Sequence, residues 1–192
     1  MAEVRGNFDI LMDNLETIFN DFSDAQELID STYAFDVYKD YYRNYPVDRP
    51  GAYVFLSMGP MNQDTGKSAS QAHYQYNADY YIDCVTNKPA SSGDRGDEAA
   101  AARLRYLIKQ VLDALHAAGK YDLNLPNGSI SRRPMLGIDP LPPEMQMVER
   151  PIVGARITLT VGMAYAPELL EGTALESIHV DASRWQALYE YT

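Results

Sequence analysis

AHYQYNADYYIDCV, running from Ala72 to Val85, is the stretch whose reading decides the fold. Tyr74, Tyr76, Ala78, Tyr80, Ile82 and Cys84 occupy every second position, and His73, Gln75, Asn77, Asp79, Tyr81 and Asp83 sit between them. Side chains of an extended chain alternate between faces. The spacing therefore predicts one long half-buried strand with a mostly aromatic inner face.

Just upstream, Ala52 to Met58 (AYVFLSM) reads as a compact apolar strand, dense in residues favoured in sheets. Gly59 to Ser70 between the two strands reads as a polar loop, so the pair forms an antiparallel hairpin with a long connection. That loop contains Gly66-Lys67-Ser68, the ending of a phosphate-binding loop. The motif needs a glycine where Met61 stands, and a helix where the tyrosine strand follows. An ordinary hairpin loop is the better reading. A small phosphate-ligand-binding enzyme using Gly66, Lys67 and Ser68 is the lesser alternative.

Further out, Phe8, Leu11, Leu15, Ile18 and Phe22 recur at three and four residues, the stripe of an amphipathic helix with Asp9, Asp13, Glu16 and Asn20 turned to water. A shorter helical turn is expected around Ala25 to Ile29. Tyr33, Phe35 and Val37 alternate as a short strand before Pro46 and Pro50-Gly51 break the chain. On the other side, Lys88 to Gly96 reads as a turn. Asp97 is placed to cap a second helix running to about Ala118. Its core stripe is expected at Ala101, Leu104, Ile108, Val111 and Leu115, widened by Leu107 and Leu112, and Gly119 supplies the stop.

Ile152 to Tyr165 alternates again, with Val153, Ala155, Ile157, Leu159, Val161, Met163 and Tyr165 inward and Arg156, Thr158 and Thr160 outward. A last strand is expected at Ser177 to Asp181, before a tail holding Trp185, Leu188 and Tyr189. The order predicts an α+β fold: an antiparallel or mixed sheet, two main amphipathic helices packed on one face, and a long hairpin. The chain is read as a single domain, 1–192, with an irregular excursion at about 121–151 that carries five prolines from Pro126 to Pro143.

Composition narrows the function classes. With 27 acidic against 16 basic side chains, the net charge of -11 argues against a general nucleic-acid binder, which needs basic surface to displace counterions. No apolar run has the length of a membrane span, and Met1 to Asp9 lacks the pattern of a secretory signal. The single cysteine, Cys84, permits no internal disulfide and falls on the buried face of its strand.

Reactive chemistry finds little support. His73, His116 and His179 have no metal-binding spacing, and one cysteine supplies no thiolate cluster. No nucleophile elbow exists, and no spacing singles out a carboxylate pair. No catalytic, cofactor or metal residues are assigned, and the chain is read as not an enzyme. The stronger candidates are interface residues. Arg132, Arg133, Met135, Leu136, Met145 and Met147 lie on the excursion, where adaptable apolar side chains and arginines suit a partner surface. The bland reading of the same segment is a loop folded over its own core. Lys67 and Arg156 complete the candidate interface set.

An amphipathic N-terminal helix leads to the short strand Asp36-Val37-Tyr38, a turn from Pro46 to Gly51, and the apolar strand Tyr53-Val54-Phe55-Leu56. A loop, a long alternating strand, a second amphipathic helix and late strands follow. Over roughly Phe8 to Val180 this order resembles the tail-terminator, or tail-completion, proteins of long-tailed bacteriophages. The tyrosine-rich segment and the 121–151 excursion depart from it, and also fit an adjacent neck or head-tail connector component. The resemblance implies a structural virion protein, made in the host cytoplasm. It would close into a homo-oligomeric ring, typically of six, on the head-proximal end of the tail tube. The ring stops tube polymerisation and joins the tail to the head connector. Its expected partners are further copies of itself, the tail tube protein and the connector. DNA would pass through an acidic ring without specific binding, and no membrane is involved.

Overall fold

The computed structural model describes residues 7–40, 49–63, 74–87, 96–117, 119–125, 129–133, 135–141 and 152–165. Helix α1 (Asn7–Glu27) precedes a 3₁₀ turn (Ser31–Tyr33) and strands β1 (Asp36–Lys39), β2 (Gly51–Gln63) and β3 (Tyr74–Asn87). Helix α2 (Gly96–His116) then leads to β4 (Ile130–Arg132), β5 (Met135–Pro140) and β6 (Ile152–Tyr165).

The strands form one mixed sheet in the order β1-β2-β3-β6, with β4 and β5 sharing the far side of β6. Among the described strands, only the β1–β2 pairing is parallel. The hairpin is as expected: Tyr53 pairs with Val85 and Leu56 with Ile82, and β3 continues against β6, where Cys84 meets Ala155. Both helices pack on one face of this α+β sheet.

That shared face holds the main core. Ala78, Tyr80, Ile82 and Cys84 from β3 join Val54 and Leu56 from β2 and Ile157, Leu159, Val161 and Met163 from β6. Leu11, Met12, Leu15, Ile18 and Phe19 come down from α1, each buried aliphatic or aromatic side chain being worth about 2 kcal/mol. Cys84 lies fully inside this layer, and burial holds its thiol pKa well above the ordinary range.

Five details differ from the pattern. First, α1 runs unbroken to Glu27, so Ala25 to Glu27 continue the helix and only Leu28 and Ile29 form the turn beyond it. Second, Asp13 and Glu16 are not simply solvated: both carboxylates hold Lys39 of β1, with Glu16 at 3.1 Å. Third, the buried stripe of α2 is rotated towards Ala100, Leu107, Val111, Ala114 and Leu115, leaving Ala101, Leu104 and Ile108 half-buried. Gln110 is drawn inward because its amide donates to the Tyr33 carbonyl. Helix α2 also begins at Gly96, so Asp97 falls inside it rather than at the cap. Gly119 ends the element at φ +81°, the left-handed position expected of it.

Fourth, β2 extends to Gln63, so Gly59 to Gln63 are strand where a loop was expected. The ladder shifts register between Met58 and Met61, a bulge that accommodates Pro60. A Cβ at Gly59 would meet the Tyr81 ring at 2.7 Å, so a larger residue there has to push that ring aside.

Fifth, the excursion is largely sheet. β4 pairs with β6 at Met163 and Gly162, and β5 continues along β6 from Leu159 to Ala155. The two run along the same side of β6, one after the other. Past β5, Leu141 folds onto the sheet face away from the helices and joins Tyr53, Phe55, Val85 and Ile152 in a second buried cluster. Its amide donates to the Gly154 carbonyl at 3.0 Å. Tyr38 stacks on Phe55 at 5.3 Å to close this cluster. The expected strand at Ser177 to Asp181 and the tail with Trp185 lie outside the described residues.

Candidate functional site

The β4–β5 edge is built from its sequence in two opposite ways. Arg133 turns inward. Its guanidinium donates to the carbonyls of Leu115 (2.6 Å), Lys120 (2.7 Å) and Tyr121 (2.9 Å), and lies 5.1 Å from the Tyr121 ring centre. The Leu115 carbonyl is one of the acceptors that the end of α2 leaves open. A cation there opposes the negative end of the helix dipole while binding the turn at Lys120 and Tyr121. The turn it grips is already special, for Leu123 and Asn124 both adopt positive φ, at 52° and 59°. Leu123 is buried there, and its carbonyl accepts from Asn14 of α1.

Arg132 is exposed, and so are Met135 and Ile138, at 38% and 47%. On the side away from β6, β5 pairs with no described strand. Among the described residues this sheet edge is open and carries apolar side chains, the arrangement that lends itself to pairing with another chain. The opposite flank is managed differently. Beyond β1, the exposed Pro60 and the bulge interrupt the free side of β2, which blunts strand addition.

Arg156 sits on the face without helices, half-buried rather than projecting. It makes a two-pronged ion pair with Asp83, and its guanidinium lies 4.3 Å from the Tyr81 ring centre. Four residues further along the same ladder, the Thr160 hydroxyl donates to Asp79 at 2.6 Å. Leu136 belongs to β5. Met145, Met147 and Lys67 lie outside the described residues.

A cleft of about 680 Å³ opens beside the 3₁₀ turn, between the start of β2 and α2. Tyr33, Arg49, Tyr53, Asn87, Arg103 and Tyr106 contribute to its lining. Arg103 is engaged there: it donates to the Ala34 carbonyl and to Gln110, and rests 5.5 Å from the Tyr106 ring centre. Burial lowers its pKa, while the nearby Tyr106 and Tyr33 act in the opposite direction. These contacts fix the turn to α2. Among the described residues, no group of three His, Cys, Asp or Glu side chains is placed to hold a metal ion.

His116 is exposed at the end of α2 with Nδ1 2.8 Å from the Leu112 carbonyl. Among the described residues, no helix is long and apolar enough to cross a membrane.

Sequence reasoning missed Leu28 and Ile29, which stand 90% and 74% exposed at the end of α1. The available signal was spacing. Seven residues beyond Phe22, Ile29 continues the core stripe, so ending the helix at Glu27 turns it out to water.

No protein-family model and no curated protein matches the chain. Among solved structures, a chain from the virion of a native gene transfer agent particle aligns with a TM-score of 0.46 and 15% identity, over 78% of this chain and 94% of that one.

Proposed function

We propose that this chain is a structural component of a phage-like virion, and within that class a tail terminator without catalytic activity. In this reading, copies close into a ring of six on the head-proximal end of the tail tube, halt its polymerisation and present a surface to the head connector. The observation that carries the reading is the open β5 edge with Met135 and Ile138 in water. A free edge with apolar side chains favours chain-to-chain contact, and a ring can follow from packing alone. The element order from Phe8 onward resembles that family and supports the same reading. The net charge of -11 suits a ring through which DNA must pass without adhering.

The test is to mix the full chain with its own virion's tail tube protein and follow tube growth by negative-stain microscopy. The terminator reading expects tubes that stop growing and carry a ring at one end. Tubes that elongate equally with and without the chain, bearing no added density, overturn it.

A further inference from the structure

We infer that Leu28 and Ile29 are the docking knob for a second copy of this chain, and that its counterpart is the Met135–Ile138 edge of that copy. The inference rests on the assembly reading above and names the two surfaces that meet.

Six large apolar side chains are exposed among the described residues: Leu28, Ile29, Met61, Tyr121, Met135 and Ile138. Tyr121 lies against the Arg133 guanidinium, and Met61 follows the bulge in β2. The other four form two pairs. Met135 and Ile138 lie on β5, at one flank of the sheet. Leu28 and Ile29 follow α1, which is tied to β1, the strand at the opposite flank, through Lys39 and its two carboxylates. A ring built by rotation requires two different patches on opposite sides of each protomer, so that the left side of one copy meets the right side of the next.

The knob is also held in place. The Leu28 and Ile29 amides donate to the Asp24 and Gln26 carbonyls, and Asp30 caps the following turn by accepting from the Thr32 amide at 2.9 Å. Just behind it, the buried Ser23 hydroxyl bonds both the amide and the carbonyl of Phe35, fastening the end of α1 to the entry of β1. Little ordering is left to be done on binding, which favours association.

Charge points the same way. The chain leading into and out of the knob carries exposed Asp24, Glu27, Asp30 and Asp36, whereas the β4–β5 flank offers exposed Arg132. Asp139 on that flank lies opposite Arg156 in the ladder. An acidic surface with an apolar centre meets less repulsion on an apolar edge whose exposed Arg132 and Asp139 balance than on another acidic knob. Two knobs facing each other would repel.

The test uses two full-length variants, Ile29→Cys and Ile138→Cys, mixed in equal amounts and treated with a short bismaleimide at high protein concentration and again on capped tubes. The native Cys84 is buried and serves as the unmodified background. The expected result is a mixed adduct several-fold more abundant than either homodimer. Homodimers as abundant as the mixed species, or no adduct in either condition, overturn the inference. Capped tubes without a mixed adduct remove this contact and leave the terminator reading standing. A mixed adduct with tubes that grow unchecked does the reverse.

Discussion

Arg156 donates from Nε and Nη2 to the two carboxylate oxygens of Asp83, at 2.7 and 2.8 Å, across the β3–β6 ladder. Asp83 is only 3% exposed, so its charge is held in a nearly dry position by this pairing and its other contacts. Removing one member of such a pair leaves an uncompensated charge, which costs more than the pair contributes as a unit. Arg156→Met, which strands the buried Asp83 carboxylate, is expected to lower the unfolding free energy by roughly 2–4 kcal/mol. Asp83→Leu combined with Arg156→Met is expected to cost clearly less. Urea titration of the two variants checks the order, and a double variant worse than the single one contradicts it.

Alkaline stability follows from two buried acids. Burial is the main cause raising the pKa of Cys84 above 9.0, and likewise that of Tyr80 above 10.0, with Asp83 and Asp9 adding to it. Both groups stay protonated in the native chain at pH values where the unfolded chain releases their protons. The unfolded state then binds fewer protons, so stability falls as pH rises. Well below pH 9 neither contributes. Above it the fall from Cys84 approaches about 1.4 kcal/mol per pH unit, and Tyr80 adds a similar slope above pH 10. Unfolding midpoints between pH 8 and 11 should drop, and Cys84→Ala should remove the earlier part of the decline.

Gly154 shows how the second sheet face was built. A Cβ there would lie 2.4 Å from Leu141 Cδ1 and 3.2 Å from the Cys84 carbonyl oxygen. Leu141 fills that space and anchors the chain after β5. Gly154→Ala is expected to displace it at a cost of about 1–3 kcal/mol, the range for overpacking. Hydrogen exchange at the Leu141 amide, which donates to the Gly154 carbonyl, should quicken in the variant while the β2–β3 amides stay protected.

The long strands were legible because β3 and β6 alternate over fourteen residues each, and alternation is a direct trace of a two-faced sheet. The edge was not legible. Gly137 and Pro140 break any alternation in β5, β4 is only three residues long, and an edge strand tolerates such residues because half its backbone groups need no ladder partner. The cluster around Leu141 was hidden for another reason. Ala52 to Met58 is apolar at nearly every position and so carries no alternation to assign its faces. The residue that folds back over Tyr53, Phe55 and Val85, Leu141, follows β5 far along the chain. The fates of Arg132 and Arg133 were equally hidden, since adjacent arginines in an irregular segment look alike until the end of α2 arrives beside one of them.

That pair gives the last prediction. Arg133 supplies three hydrogen bonds to the carbonyls of Leu115, Lys120 and Tyr121, while Arg132 is exposed beside Met135. Truncating Arg133 leaves carbonyls at the end of α2 without their charged donor, and charged hydrogen bonds are worth about 1.5–3 kcal/mol each before the solvent entering this half-buried site makes up part of the loss. Arg133→Ala is therefore expected to lower stability by roughly 2–3 kcal/mol and to weaken assembly only in proportion to the unfolded fraction. Arg132→Ala is expected to leave the unfolding curve within about 0.5 kcal/mol of the parent. Arg132→Glu should go further and place an acid opposite the acidic knob of the next copy, so that tube capping falls while the unfolding curve stays put. Calorimetry beside a tube-capping assay separates the two residues. If Arg132→Glu caps tubes as well as the parent does, Arg132 has no part in the contact between copies.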